Sequence, residues 1–411
     1  MNKKKVFASL ILLLAIAAYF VLFYKDKKLK FIPENADAVV LIDVKNLTRQ
    51  YIFSLITHPS QWGGKTKGKS SASLRESGII IPDFLQMFHL KGTGVSDWYS
   101  VIELQDPKKF IEFLKQQKFA DKGKNVFQKD HIFLSIEGEK CIVGTSDSGF
   151  GVISKHIFQT SPKNILSADQ FIQNTVGSIS FLSGPKIRNF SIELKDDEIE
   201  IQNSPNPEMV NAIVSTLQHR NHFLEAELNA DNIKNVTRFF NINKGDSISI
   251  NHFKATADLE QVNDTIITYG YDDNFNEVEE KTYQKIVQPN YIIDFQSKVP
   301  EKTWDYFQAK KWMNSQNQFT VIPFQPNNVS KNSTGIVVKS VRKPIQQSPK
   351  LGKNYIFIKN SEMLFSSLNV LSKTEKRIIS DIEYVFYGNE AQNYWVKLKA
   401  KNGKLPLILR W

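Results

Sequence analysis

The sequence predicts an α+β fold, in which an N-terminal transmembrane helix is followed by antiparallel sheets with packed helices. Three observations support this prediction. The run Val6–Tyr24 is apolar and contains no charged residue, proline or glycine. Strand-like segments follow one another in hairpins and runs, which is typical of antiparallel sheets. Helical segments are interspersed among the strands without strict alternation, which favours α+β over a doubly wound α/β fold.

The composition is that of a folded protein with two or three domains. The chain has 411 residues, of which 41% are hydrophobic and 23% charged, an ordinary globular balance. Because Cys141 is the single cysteine, an intrachain disulfide scaffold, a zinc ribbon and CxxC redox chemistry are excluded. Residues 1–30 supply +6 of the net charge of +11. The small remaining excess does not predict nucleic-acid binding.

The run Val6–Tyr24 is predicted to be an uncleaved membrane anchor. At about 1.5 Å per residue, a helix of this length spans ~28 Å, close to the hydrocarbon thickness of roughly 30 Å. Lysines flank the run on both sides. A short basic tail followed at once by an apolar run is how export signals begin. The predicted location is therefore the cell membrane, single-pass, with residues 6–24 in the bilayer, the N-terminus cytoplasmic and the body extracytoplasmic, in the periplasm.

Three other interpretations of the N-terminal run fit the sequence less well. A cleaved signal peptide would use Ala15-Ile16-Ala17 as its small-residue site, but it would leave an apolar remnant on the mature chain. A buried core helix would need a polar face or complete burial, and the run has no polar face. A lipoprotein would need a cysteine near the N-terminus, where none is present.

The first predicted domain covers residues 31–204. The apolar strand Ala38–Val44 leads into a helix from Leu47 to about Thr57. Asp106 caps a second helix with Pro107 at its first position, where the missing amide costs nothing. The strands Ile132–Ile136 and Cys141–Gly144 are joined by a short turn and form a hairpin. The other strands predicted here are Ser100–Leu104, Ser178–Leu182, Phe190–Leu194 and Glu198–Gln202, and the other helices are Ser146–Phe158 and Ala168–Thr175.

The second predicted domain covers residues 205–411 and begins after the proline-rich stretch 203–207. Its strand-turn-helix pattern at Phe223–Phe240 repeats the pattern at Val39–Phe53, which suggests a tandem duplication. Asn327–Thr334 and Lys343–Asn354 are predicted as loops, and Asp272–Lys281 as a polar connection. The predicted strands are Ser247–Leu259, Thr265–Tyr271, Tyr291–Phe295, Tyr355–Ile358, Ile382–Tyr387, Tyr394–Ala400 and Pro406–Trp411.

Several stretches between residues 31 and 185 share a known pattern. They are the opening Ile32–Leu47, the strand that leads into Asp106-Pro107, the hairpin with its helix at Ile132–Ser146, and Ile165–Thr175. This pattern resembles uncharacterised families of bacterial envelope proteins, domains of unknown function of the DUF3352 and DUF4836 type. The resemblance implies a membrane-tethered outer domain and no catalytic residue.

Two sequence motifs suggest an enzyme. Residues Gly63–Ser70 fit the phosphate-binding pattern G-x-x-x-x-G-K-[ST], but no strand precedes them and no helix is predicted after them, as a P-loop requires. Asp147-Ser148-Gly149 has the form of a nucleophile turn, yet no G-x-S-x-G motif is present. A P-loop NTPase or a hydrolase is therefore the alternative function, and a mobile basic loop and a helix cap are the structural interpretations.

A group of histidines and an aromatic stretch are two further candidates for binding sites. His219 and His222, with Glu225 and His252 as companions, could hold zinc if three or four of them converged, but they lie where a helix gives way to a strand. The aromatic stretch Tyr291–Trp312 fits core packing, with a ligand groove as the alternative.

The sequence therefore predicts no catalytic, cofactor-binding or metal-binding residue and no cofactor. The function it predicts is a membrane-anchored extracytoplasmic protein that acts as a non-enzymatic binding protein or scaffold in the cell envelope. Its partner would be an unknown protein, lipid or glycan, and not a nucleic acid.

Overall fold

The computed structural model describes residues 13, 16, 19–61, 77–159, 166–204, 208–239, 250–271, 275–322, 326–367 and 371–410. The chain divides into two compact units, residues 1–203 with 403–411 and residues 204–402. Most of the regular structure is antiparallel β-sheet. The predicted α+β class is corrected accordingly, because several strands are too polar to show an apolar pattern in the sequence.

The first unit is built on one antiparallel sheet in the order β12-β11-β10-β2-β3-β4-β8-β7-β6-β5. A small pair, β1 with β9, lies apart from it. The strands are β1 Lys28–Leu29, β2 Ala36–Asp43, β3 Phe84–Leu90, β4 Trp98–Glu103, β5 Ala120–Gly123, β6 Val126–Lys129, β7 Ile132–Glu137, β8 Lys140–Gly144, β9 Leu166–Ser167, β10 Gly177–Ser183, β11 Lys186–Leu194 and β12 Glu198–Gln202.

Helices in the first unit are α1 Val44–Thr57, α2 Pro107–Gln116, α3 Phe150–Gln159 and α9 Leu407–Arg410. The predicted cap of α2 is confirmed, because the Asp106 carboxylate accepts hydrogen bonds from the amides of Lys108 and Lys109, both at 3.1 Å. Two apolar clusters form the core, one around Leu41 and Phe88 and one around Leu114. Burial of these side chains is the main favourable contribution to folding.

The second unit has one antiparallel sheet in the order β20-β19-β18-β13-β14-β15-β17-β16. Its strands are β13 Leu224–Asn229, β14 Ile250–Tyr271, β15 Glu277–Ser297, β16 Asn327–Asn332, β17 Gly335–Ser340, β18 Asn354–Lys359, β19 Ile382–Glu390 and β20 Asn393–Ala400. Its helices are α4 Glu208–Gln218, α5 Ala230–Phe239, α6 Pro300–Ala309, α7 Glu362–Ser367 and α8 Lys373–Asp381.

Both units contain the same eight-strand topology. The order β12-β11-β10-β2-β3-β4-β8-β7 in the first unit corresponds, strand for strand and in chain order, to β20-β19-β18-β13-β14-β15-β17-β16 in the second. Within this topology, the first strand, β2 or β13, is followed by a helix, α1 or α5. The third strand, β4 or β15, is followed by a helix that begins with proline, α2 or α6. The strand-turn-helix patterns that the sequence pairs fall on corresponding elements, β2 with α1 and β13 with α5.

Corresponding residues perform the same local task in the two units. Asp43 caps α1 by accepting the Asn46 amide at 2.8 Å, and Asn229 caps α5 by accepting the Asn232 amide at 3.1 Å. A side-chain oxygen at this position satisfies an amide that the helix leaves unpaired. Among the differences between the units, the first inserts the hairpin β5–β6 and the second extends β14 and β15 to 22 and 21 residues.

The predicted transmembrane helix is contradicted. Across the part of the chain that the structure describes, no helix combines the length and the apolar character needed to cross a bilayer. Of the run Val6–Tyr24, residues 13, 16 and 19–24 are described, and the others lie outside the described residues. The end of the run contacts α1, where the Arg49 guanidinium donates to the Leu22 carbonyl at 2.6 Å and lies 5.0 Å from the Phe23 ring. The predicted location, as a single-pass protein of the cell envelope, is therefore not supported either.

Three local predictions are also wrong. Residues Pro406–Trp411, predicted as a strand, contain the short helix α9. The predicted loop Asn327–Thr334 contains β16. The predicted helix Ala168–Thr175 is a single 3₁₀ turn at Ala168–Gln170.

Candidate functional site

A two-stranded ribbon projects from the sheet of the second unit. β14 and β15 remain paired, residue by residue, as far as Tyr271 opposite Glu277. The neighbouring strands pair only with the inner part of the ribbon. β13 pairs with β14 as far as Ala257, and β17 pairs with β15 at Ile292–Gln296. We call the outer part of the ribbon, residues 263–271 and 277–285, the arm. Its nine residue pairs extend about 30 Å at roughly 3.4 Å per residue.

The arm presents large apolar side chains to solvent on one face. Ile267, Tyr269, Tyr271 and Tyr283 share that face by strand register, and Tyr269 and Tyr271 are 65% and 73% exposed. Phe275, in the turn beyond the arm, is 87% exposed. Exposed aromatic groups gathered on one surface mark interaction sites more often than scattered apolar residues do.

Both edges of the arm have free backbone groups. Among the described residues, no third strand pairs with β14 beyond Ala257 or with β15 between Glu277 and Tyr291. An isolated two-stranded ribbon is marginally stable in water, and an open strand edge is a template for another strand. The arm therefore has the backbone geometry of a surface that a partner completes.

The arm is acidic although the chain is basic. The arm holds four acidic and two basic residues, a net charge of −2, and the two aspartates of the turn bring residues 263–285 to −4 in a chain of +11. Glu277 and Glu279 lie on the aromatic face, opposite Tyr271 and Tyr269. Lys281 shares that face and lies 3.1 Å from Glu279. A partner surface that is basic and offers a strand edge would complement it.

A cluster of charged side chains is buried where β14 enters the body of the sheet. Glu225, Glu227 and Lys254 are 1%, 2% and 1% exposed. Glu227 and Lys254 are direct cross-strand partners. Glu225 accepts from the Arg220 guanidinium at 2.6 Å. Such charges are costly to bury unless they are paired.

Glu227 connects the sheet to the loop that precedes β18. Its carboxylate accepts hydrogen bonds from the amides of Leu351 at 2.9 Å and Gly352 at 3.1 Å, and His252 Nε2 lies 3.3 Å away. Both oxygens of Glu227 are bonded, and Glu225 is bonded through one oxygen, while its Oε1 has no hydrogen-bond partner among the described residues. We interpret the cluster as structural support for the sheet where β13 pairs with β14. Burial lowers the pKa of Lys254, and the neighbouring Glu227 opposes that shift. The positions in β2 that correspond to Glu225 and Glu227 are Val39 and Leu41, both fully buried and apolar, so the cluster is particular to the second unit.

The histidines considered as zinc ligands are not brought together. His219 Nδ1 lies 2.6 Å from the Ser215 carbonyl, and His222 Nδ1 lies 2.8 Å from Asp258. His252 contacts Glu227 instead. Within the described ranges, no group of three or more potential ligands is placed to hold a metal ion.

The remaining candidate sites have structural explanations or lie outside the described residues. The Ser148 hydroxyl is 2.9 Å from both the Tyr99 and the Ser146 hydroxyl. The aromatic stretch Tyr291–Trp312 packs in the core of the second unit, as the core interpretation predicts. Residues Gly63–Ser70, the match to the P-loop pattern, lie outside the described residues.

His89 is held between two acceptors in the first unit. Its Nδ1 lies 2.6 Å from Asp37 and its Nε2 lies 2.8 Å from the Gly94 carbonyl. Burial works against protonation, but the hydrogen bonds to Asp37 and Gly94 outweigh it and raise the pKa of His89 above 6.5. These two acceptors therefore favour the protonated form of the imidazole over the neutral form.

We expect His89→Gln to cost stability at acidic pH and little at alkaline pH. A pKa that is higher in the folded state stabilises the fold fully below the unfolded value of about 6.5, and this contribution is lost as pH rises through the folded value. The loss should stay under about 1 kcal/mol, because surface ion pairs are screened. Urea unfolding at several pH values measures it, with Asp37→Asn as the matched variant. A cost that grows with pH would contradict this assignment.

We expect the thiol of Cys141 to be unreactive in the folded protein. The residue is fully buried, and burial raises the pKa of its thiol to about 12. Because the thiolate is the reactive species, a thiol reagent at mildly alkaline pH should label the unfolded chain and leave the folded chain unlabelled. Rapid labelling under native conditions would show that β8 opens.

Neither the family models, nor the curated proteins, nor the solved structures contain a match to this chain. The resemblance of residues 31–185 to envelope-protein families therefore stays a prediction, and the function rests on the geometry of the molecule.

Proposed function

We propose that this chain is a non-enzymatic binding protein whose arm holds a protein partner. The observation that carries the proposal is the arm itself, an exposed ribbon with an aromatic face and two open strand edges. Backbone amides and carbonyls along an open edge bind an extended segment of another protein by strand addition. A lipid or a glycan offers no such ladder, so a protein partner fits best.

The aromatic face gives such a complex its specificity. Tyrosine combines a large apolar ring with a hydroxyl that stays satisfied in water or in an interface, and it is enriched where proteins meet. Tyr269 and Tyr271 lie opposite Glu279 and Glu277 on the arm. This pattern suits a partner that offers apolar pockets flanked by basic groups.

Site-specific photo-crosslinking in the producing cells tests the proposal. A photoreactive phenylalanine derivative replaces Tyr269, Tyr271 or Tyr283 in turn, and the same derivative at Phe181, a half-exposed residue of β10 in the first unit, serves as the control. The arm positions should give a discrete protein adduct, which mass spectrometry identifies, and the control should not. If none of the three arm positions yields a protein adduct, the proposed function is wrong.

A further inference from the structure

Two of the places in which the units depart from their common topology carry opposite charge. The first unit inserts the hairpin β5–β6, and the second unit extends β14 and β15 into the arm. Residues 115–129, which we call the lysine edge, contain five lysines and one aspartate, a net charge of +4. Residues 263–285 carry −4. A repeated fold that adds one basic and one acidic extension has the means to join one copy to another.

The lysine edge is exposed and has unpaired charge. Its lysines are exposed, and Lys115, Lys118, Lys122 and Lys124 have no ion-pair partner among the residues that the structure describes. Unpaired like charges repel one another, so a surface of opposite sign that approaches them is attracted.

The lysine edge also ends a sheet. β5 pairs with β6, and no strand of the described chain pairs with its other side. All four of its residues are exposed. The backbone groups on that side are free to accept another strand, as are those of the arm.

We propose that the arm of one copy docks against the lysine edge of a second copy, and so links copies head to tail. This inference rests on the proposed function of the arm as a docking surface. Pairing of two arms with each other is disfavoured, because both have a net negative charge and would repel at neutral pH. A contact between two different surfaces leaves a free arm at one end and a free lysine edge at the other, so it forms rings or open chains.

Sedimentation velocity of the purified full chain across a range of concentrations tests the inference. We expect species larger than the monomer at low salt, and their loss at high salt, because exposed charges are screened. The double variant E277K/E279K should be monomeric, and so should K122E/K124E. The control K155E/K186E changes two exposed lysines elsewhere in the first unit and should assemble like the unmodified chain.

Mixing the two monomeric variants is the decisive step. The reversed arm of E277K/E279K matches the reversed edge of K122E/K124E, and the two unmodified surfaces match each other, so the mixture should assemble again. A folding defect would not be repaired by mixing. A monomeric unmodified chain, assembly that survives either double variant, or a mixture that stays monomeric would each overturn the inference. An arm adduct to a different protein in the crosslinking experiment would overturn it and leave the proposed function standing.

Discussion

Glu227→Ala is expected to lower the free energy of unfolding by about 2–5 kcal/mol, because it leaves two amides without an acceptor at roughly 1–3 kcal/mol each. The substitution takes the acceptor away from the amides of Leu351 and Gly352. It also leaves Lys254, which is 1% exposed, without the carboxylate that faces it across the strands. Urea or guanidinium unfolding followed by circular dichroism measures the loss.

The matched control is a carboxylate nearer the surface in the neighbouring strand β14. Glu260 pairs with Arg342 at 2.9 Å, and both side chains are partly exposed. Glu260→Ala should cost less than about 1 kcal/mol, because solvent and salt screen such pairs. If Glu227→Ala costs no more than Glu260→Ala, the buried cluster does not stabilise the sheet of the second unit.

A double variant separates lost packing from an unpaired charge. Lys254→Met combined with Glu227→Leu removes both charges and keeps the volume of both side chains nearly constant. Replacing two buried opposite charges by apolar groups of similar size is often neutral. We expect the double variant to be more stable than Glu227→Ala, with the residual loss coming from the two amides of the loop.

The sequence predicts well those elements whose pattern is local. The strand β2 follows from an apolar run, α2 follows from Asp106 and Pro107, and the hairpin β7–β8 follows from two strands around a short turn. In each case the residues that decide the structure lie within a few positions of one another, so periodicity and capping residues are sufficient.

The candidate site escapes prediction because it depends on distant residues. The segment 277–281 reads Glu-Val-Glu-Glu-Lys, which has no apolar alternation, since both faces of the arm are exposed and only the partner strand β14 makes it a strand. The segment 223–228 reads Phe-Leu-Glu-Ala-Glu-Leu, an alternation that predicts glutamates facing solvent. The structure buries them, because Arg220 and the loop that precedes β18 cover that face. Period-two patterning cannot show which face a later part of the chain will cover.

Phe307→Ala is expected to cost about 3–5 kcal/mol, the range for truncating a buried aromatic side chain. The Phe307 ring is fully buried, and its centroid lies 5.3 Å from that of Phe295 and 5.4 Å from that of Trp312. Truncation would leave a cavity lined by rings, which cannot collapse as flexible aliphatic side chains can. Asp305→Ala on the exposed side of α6 is the control and should stay within about 0.5 kcal/mol of the unmodified chain.

The repeated topology extends this prediction to the first unit. Phe307 is the eighth residue of α6 and Leu114 is the eighth residue of α2, and both helices begin with proline. Leu114 is 2% exposed, so Leu114→Ala should cost about 2–5 kcal/mol, as other buried leucines do. Chemical denaturation of both variants measures the two costs on one scale. If one position were costly and the other neutral, α2 and α6 would not be equivalent, and the correspondence between the two units would stop at strand order.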